Sequence, residues 1–137
     1  MIWKKKINLN NINNSMKNTM AEYLQINIEE VGDNFIRASM PVNEKTIQPF
    51  GILHGGASVV LAETVGSVAS NLCLNDDQYS VGLDINANHI KSVRDNLVEA
   101  ITKPIHIGRT THVWEIKITQ REKLTCLSRL TTVVLDR

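Results

Sequence analysis

The chain has 137 residues, with 15 Lys and Arg against 14 Asp and Glu, a formal net charge of +1, and 42% hydrophobic content. That length suits one domain with a proper core, and the whole of 1–137 reads as one. The near-neutral balance gives no basis for nucleic-acid binding through bulk charge, and no run reaches 18 uncharged apolar residues, so neither nucleic acid nor membrane is an expected partner.

The opening MIWKKKINLNNINNS is basic but has no apolar stretch behind it, unlike a secretory signal. Residues 8–19 are Asn-rich and weakly periodic through Leu9, Ile12 and Met16, which predicts a marginal helix. QINIEEV and FIRASMPV read as two strands joined by a turn at Gly32-Asp33-Asn34. A loop bracketed by Pro41 and Pro49 leads to a long helix, from Gly55 or Gly56 to about Leu74. Its apolar and small residues cover nearly every face, so the helix is expected to be enclosed. Val81, Leu83, Ile85 and Ala87 then alternate with Gly82, Asp84, Asn86 and Asn88, a strand pattern. Strands over 97–107, HVWEIKITQ and LTCLSRLTTVVL follow, with turns at 94–96, Gly108 and 121–123. The four late strands are expected to form an antiparallel meander, making an α+β fold of one buried helix and one sheet. Cys73 and Cys126 lie at the end of one apolar segment and inside another, without a C-x-x-C. They read as inert core thiols and suggest a reducing, cytoplasmic setting.

One residue stands out. Between Lys45 and Asp76 the only formally charged side chain is Glu63, about two turns inside the long helix. Val59, Val60, Gly66 and Ser67, three and four positions away, offer no basic partner, and a buried unpaired carboxylate is costly unless it is used. Just upstream is LHGGAS. Two glycines at a helix start leave backbone N–H groups unshielded, a place for an oxygen that acquires negative charge. Gly55 and Glu63 are eight residues apart, about 12 Å along one helix, whereas an oxyanion donor and a base must both reach the reacting group. One chain cannot do this with its own pair. Two helices packed across a two-fold axis can, so a site shared between subunits is expected.

The segment QPFGILHGGASVVLAE, with His-Gly-Gly followed by six residues and Glu, resembles the hotdog-fold acyl-CoA thioesterases. GLDINANH at 82–89 and the final SRLTTVVL extend the resemblance over nearly the whole chain, most of all to the 1,4-dihydroxy-2-naphthoyl-CoA thioesterases of menaquinone and phylloquinone biosynthesis. The resemblance implies a long helix wrapped by an antiparallel sheet. It also implies dimers as the minimal active unit, commonly paired into tetramers, with the active site between subunits. By position, Glu63 matches the nucleophile or general base and Gly55 the amide that polarises the thioester carbonyl. Gln48 and His54 match residues that orient the thioester, and Ser67 a hydroxyl one turn after the carboxylate. Gly82, His89, Ile90, Lys91 and Ser92, and His106, Ile107, Gly108, Arg109, Thr110 and Thr111, match segments that hold CoA. Lys91 stands where that branch often has Arg, which removes a bidentate fork.

The implied activity is hydrolysis of acyl-CoA thioesters, with 1,4-dihydroxy-2-naphthoyl-CoA foremost and a wider aryl and acyl range, Glu63 either attacking the carbonyl or activating water. An apolar acyl pocket is expected from Phe50, Val60, Val65 and Val68. His54, His89, His106 and His112 have irregular spacings with no H-x-x-x-H, so no metal and no redox cofactor is expected. Two other readings are a hotdog dehydratase or isomerase, against which the compact LHGGASVVLAE speaks, and a non-catalytic acyl-CoA-binding protein, which has no need of Glu63.

Overall fold

The computed structural model describes residues 1–137. In chain order the elements are α1 (Leu9–Asn14), α2 (Met20–Tyr23), β1 (Asn27–Val31), β2 (Ile36–Pro41), α3 (Gly55–Leu72), β3 (Gln78–His89), β4 (Leu97–Ile107), β5 (Thr111–Gln120) and β6 (Lys123–Asp136). The six strands make one antiparallel sheet in the order β1-β2-β4-β5-β6-β3, and α3 lies against β2 through β6. This is the α+β hotdog arrangement expected from the sequence.

The long helix is held by close approach. Leu61, Ala62, Val65 and Ala69 are wholly buried on the side that meets Trp114, Ile116 and Leu130 of the sheet. Each large aliphatic side chain removed from water there contributes about 1.5–3 kcal/mol. At Gly66 a Cβ would come within 2.7 Å of Leu130 Cδ2, so glycine lets helix and sheet settle together. The helix starts at His54, whose backbone is extended, and stops at Cys73. Beyond it, the backbone N–H groups of Lys4 and Lys5 both donate to the Leu72 carbonyl, tying the amino-terminal segment to the helix end. Trp3 stacks on Trp114 with ring centroids 6.4 Å apart, and its indole N–H donates to the Gly32 carbonyl.

Four features differ from the sequence expectations. The late strands are not a four-stranded meander: β3 pairs with β6, and only β4, β5 and β6 run as neighbours in chain order. The connection from β3 crosses to β4, which pairs with β2, so β3 is left as a 12-residue edge strand. Second, the register of β3 shifts at Leu83, between the pairs Gly82–Thr132 and Asp84–Thr131. This bulge changes the phase of the strand. Ser80 and Gly82 turn towards α3 before it, whereas Ile85 and Ala87 pack on the core after it, and Val81 and Leu83 are exposed. Third, the amino-terminal helix is two short pieces broken at Asn18, which has φ 62°. Ile12 and Met16 are buried and Leu9 is not. Fourth, α3 is covered on one side only. Val60, Glu63, Thr64, Ser67, Val68 and Asn71 form a half-buried flank.

Cys73 and Cys126 are both buried and unpaired, and burial pushes the Cys73 thiol up to about 11, which makes it a poor nucleophile. No helix is long and apolar enough to cross a membrane.

Candidate active site

The loop before α3 is built by its own hydrogen bonds. Buried Thr46 accepts from the Asn43 N–H and donates to the Pro41 carbonyl, and its own carbonyl accepts from the His54 N–H at 2.8 Å. Ile47 bridges to Leu53, and Gly51 takes φ 75°, a left-handed value suited to glycine. This tight excursion fixes Gln48 and His54. The Gln48 side-chain oxygen accepts from the Phe50 N–H, which leaves its amide N–H₂ as the free donor.

His54 is the N-cap of α3. Its Nδ1 accepts from the Gly56 N–H at 2.7 Å, and its carbonyl accepts from Ala57 and Ser58. Acceptance at Nδ1 puts the imidazole proton on Nε2. Of the glycine pair, then, Gly56 has its N–H occupied, while that of Gly55 has no acceptor within the chain. The sequence offered two candidate amides; the cap selects one. A Cβ at 55 would lie 2.7 Å from His89 Nε2, so a larger residue there would push the His89 ring aside.

Glu63 sits on the half-buried flank of α3 and makes no ion pair and no hydrogen bond within the chain. It lies against Gly82: a Cβ at 82 would overlap Glu63 Oε1 and come within 3.3 Å of Cδ. The phase change at Leu83 is what lets one edge strand place Gly82 beside Glu63 and, farther along, His89 beside Gly55. Ser67, one turn on, shares with Glu63 a groove of about 620 Å³ between α3 and α1. A separate cavity of about 280 Å³ is lined by Gln48, Gly55, His89, Ile90, Lys91 and Ser92 among others. The isolated chain therefore keeps the carboxylate and the free amide in different cavities, in keeping with their eight-residue separation.

The segments matched to CoA binding are likewise divided. His89 to Ser92 border the cavity at Gly55, whereas Ile107, Gly108 and Arg109 line a third cavity of about 460 Å³ with Lys4 and His112. His106 and Thr110 are exposed, and Thr111 is half-buried at the β4–β5 turn, where its carbonyl accepts from the Gly108 N–H. Across β6 and β5, His89 lies level with Ala100 of β4, so Ile107 is seven residues, about 23 Å, farther along the strand direction. The expected acyl pocket does not assemble as a set. Val65 is wholly buried because it is two positions from Glu63 and faces the sheet, and Phe50 is 85% exposed on the loop. Only Val68 of the four lines the groove with Glu63, and Val60 stays half-buried beside it.

Sequence reasoning missed two groups. The first is the wall contributed by α1 and the turn after it, namely Asn11, Ile12, Ser15 and Met16, because nothing local in an Asn-rich segment announces contact with a helix 50 residues later. The second is a buried polar cluster: Ser70 Oγ meets His112 Nδ1 at 2.7 Å, Thr132 Oγ1 at 2.8 Å and Ser80 Oγ at 2.9 Å. Burial holds the His112 imidazole below its ordinary value, against a hydrogen bond to the Gly108 backbone that raises it.

The family profile described as Thioesterase superfamily matches residues 50–127, from the loop into the start of β6. The chain is 50% identical to the 1,4-dihydroxy-2-naphthoyl-CoA hydrolase of Escherichia coli over 98% of its own length and 100% of that protein. It is 43% identical to the proofreading thioesterase EntH of Cronobacter sakazakii over 98% and 99%. Among solved structures it is similar to a thioesterase of Haemophilus influenzae, with a TM-score of 0.97 at 50% identity over 99% of this chain and 96% of that one. A Pseudomonas aeruginosa thioesterase superposes with a TM-score of 0.98 at 45% identity over the full length of both. The unpaired carboxylate on the central helix, the free Gly55 amide before it and these likenesses lead to one conclusion: the chain belongs to the thioesterase superfamily.

Proposed function

We propose that this protein is a cytoplasmic hydrolase of aryl-CoA thioesters, with 1,4-dihydroxy-2-naphthoyl-CoA as its foremost substrate and other acyl-CoAs as slower ones. The observation that carries the reading is Glu63, a carboxylate without an intramolecular partner that lines a groove large enough for an aromatic acyl group. The relative that hydrolyses the naphthoyl thioester matches from end to end, which supports the same choice here.

In the mechanism, the Gly55 N–H donates to the thioester oxygen as the tetrahedral state forms, and the partial positive charge of the α3 amino end adds to it. The Gln48 amide, in the cavity at Gly55, and the His54 Nε2–H orient the thioester. Glu63 of the other subunit either attacks the carbonyl carbon and expels CoA as thiolate, leaving an anhydride that water then opens, or takes a proton from an attacking water and passes it to the CoA sulfur as the C–S bond breaks. Ser67 places that water or the acyl group. Lys91 and Arg109 meet the CoA phosphates as point charge and fork respectively.

The functional unit is a homodimer, with tetramers formed as pairs of dimers. Two observations favour it. The 12-residue edge strand β3 has an unpaired hydrogen-bonding side, and exposes Val81 and Leu83 beside it. The distances above also leave neither the Gly55–Glu63 pair nor the two CoA segments together in one chain.

Hydrolysis is tested by free-thiol release from a panel of aryl- and fatty acyl-CoAs. Glu63→Gln keeps the shape and removes the charge. Turnover is expected to fall by about 10³-fold with KM little changed, the mark of a group used in the transition state. Activity within tenfold of the unaltered enzyme would show that Glu63 does not have the role given to it.

A further inference from the structure

The groove beside Glu63 has polar side chains of two kinds. Some are already committed: Ser15 Oγ donates to the Ile12 carbonyl at 2.6 Å, and the Asn71 amide spans the Ser67 and Ser80 carbonyls and the Ser80 N–H. The side chains of Asn11 and Thr64 belong to the other kind. Neither makes an intramolecular hydrogen bond, and the N–H of Asn11 is capped by the Asn8 side chain, so the Asn11 amide is not needed to start α1. Apolar Ile12, Met16 and Val68 line the same groove. Thr64 is adjacent to Glu63 on α3, and Asn11 stands on α1 on the other wall.

We infer that Asn11 and Thr64 select acyl groups that carry hydroxyl substituents on an aromatic ring, by hydrogen-bonding those hydroxyls while the apolar walls hold the ring. The inference rests on the thioesterase reading and names the chemistry that distinguishes its substrates. An alkyl chain or an unsubstituted ring seated in the groove would strip water from Asn11 and Thr64 and return no partner, a penalty that a ring hydroxyl removes. An amide is suited to the task because it both donates and accepts, so it serves a phenol in either orientation. Glu63 and Ser67 remain free for the thioester end.

The test compares kcat/KM for 1,4-dihydroxy-2-naphthoyl-CoA and for unsubstituted 2-naphthoyl-CoA in the unaltered protein, in Asn11→Leu and in Thr64→Val. Both replacements keep the branched shape of the side chain and remove its hydrogen-bonding capacity. Each is expected to lower the ratio of hydroxylated to unsubstituted turnover by about three- to tenfold, and the pair together by more. Asn11 is exposed on a short surface helix, so Asn11→Leu keeps the test readable if Thr64→Val disturbs the neighbouring carboxylate. A ratio unchanged in Asn11→Leu, or an unaltered enzyme that hydrolyses both thioesters equally well, overturns the inference and leaves the thioesterase reading standing. An unaltered enzyme that releases thiol from no aryl-CoA overturns both.

Discussion

Gly82→Ala separates two roles for one residue, because the resemblance assigns Gly82 to CoA binding and the geometry sets it against the Glu63 carboxylate. The backbone at 82 has no left-handed φ, and the residue pairs with Thr132 in an exposed part of β3. Alanine therefore fits the strand, and removing a glycine from it favours folding by up to about 0.5–1 kcal/mol. The added methyl is what matters. It would overlap Glu63 Oε1 and stand 3.3 Å from Cδ, and no hydrogen bond or ion pair holds that side chain in place. The carboxylate should swing aside by about 1 Å to restore ordinary contact. A displacement of that size at a reacting group costs up to about 10²-fold in rate. Steady-state thiol release from 1,4-dihydroxy-2-naphthoyl-CoA is expected to show kcat lowered about 30- to 100-fold and KM within about threefold, with a urea midpoint no lower than that of the unaltered protein. A kcat near that of the unaltered enzyme with a KM raised tenfold would refute the reasoning, and would make Gly82 a CoA contact alone.

Mixing two inactive variants tests the shared site. In a Glu63→Gln and Gln48→Ala heterodimer one site receives both good residues, so random mixing should restore about a quarter of full activity, whereas sites confined to one chain would restore none. His112 predicts a pH dependence of stability. Burial lowers its folded pKa, so the unfolded chain binds the proton first as pH falls below about 6.5, and stability drops from there until the folded form is protonated too. Urea unfolding at pH 7.5 and 5.5 should show that loss, and His112→Gln should flatten it. Lys4 and His106 also lie close enough to disfavour the charged imidazole, and neither is changed in that variant.

The sequence alone determined what local chemistry controls. The long helix from Gly55, the turn at Gly32-Asp33-Asn34 and the isolation of Glu63 follow from periodicity, glycine conformation and the absence of neighbouring charge, all expressed within a few residues. The separation of Gly55 from Glu63 follows from helical rise alone. Tertiary structure decided the rest. Which strand pairs with β6 depends on long-range hydrogen bonds that no local pattern encodes, so β3 went to the edge and not into a meander. The bulge at Leu83 breaks an alternation that looked regular in the sequence, and in doing so turns Gly82 and His89 to the same helix. The cap formed by His54 removed one of two candidate amides, Val65 and Phe50 went to core and surface, and α1 supplied a wall to the groove. The physical reason is the same in each case: a side chain's type sets what it can do, but its partner is set by where distant segments of chain bury their surface together.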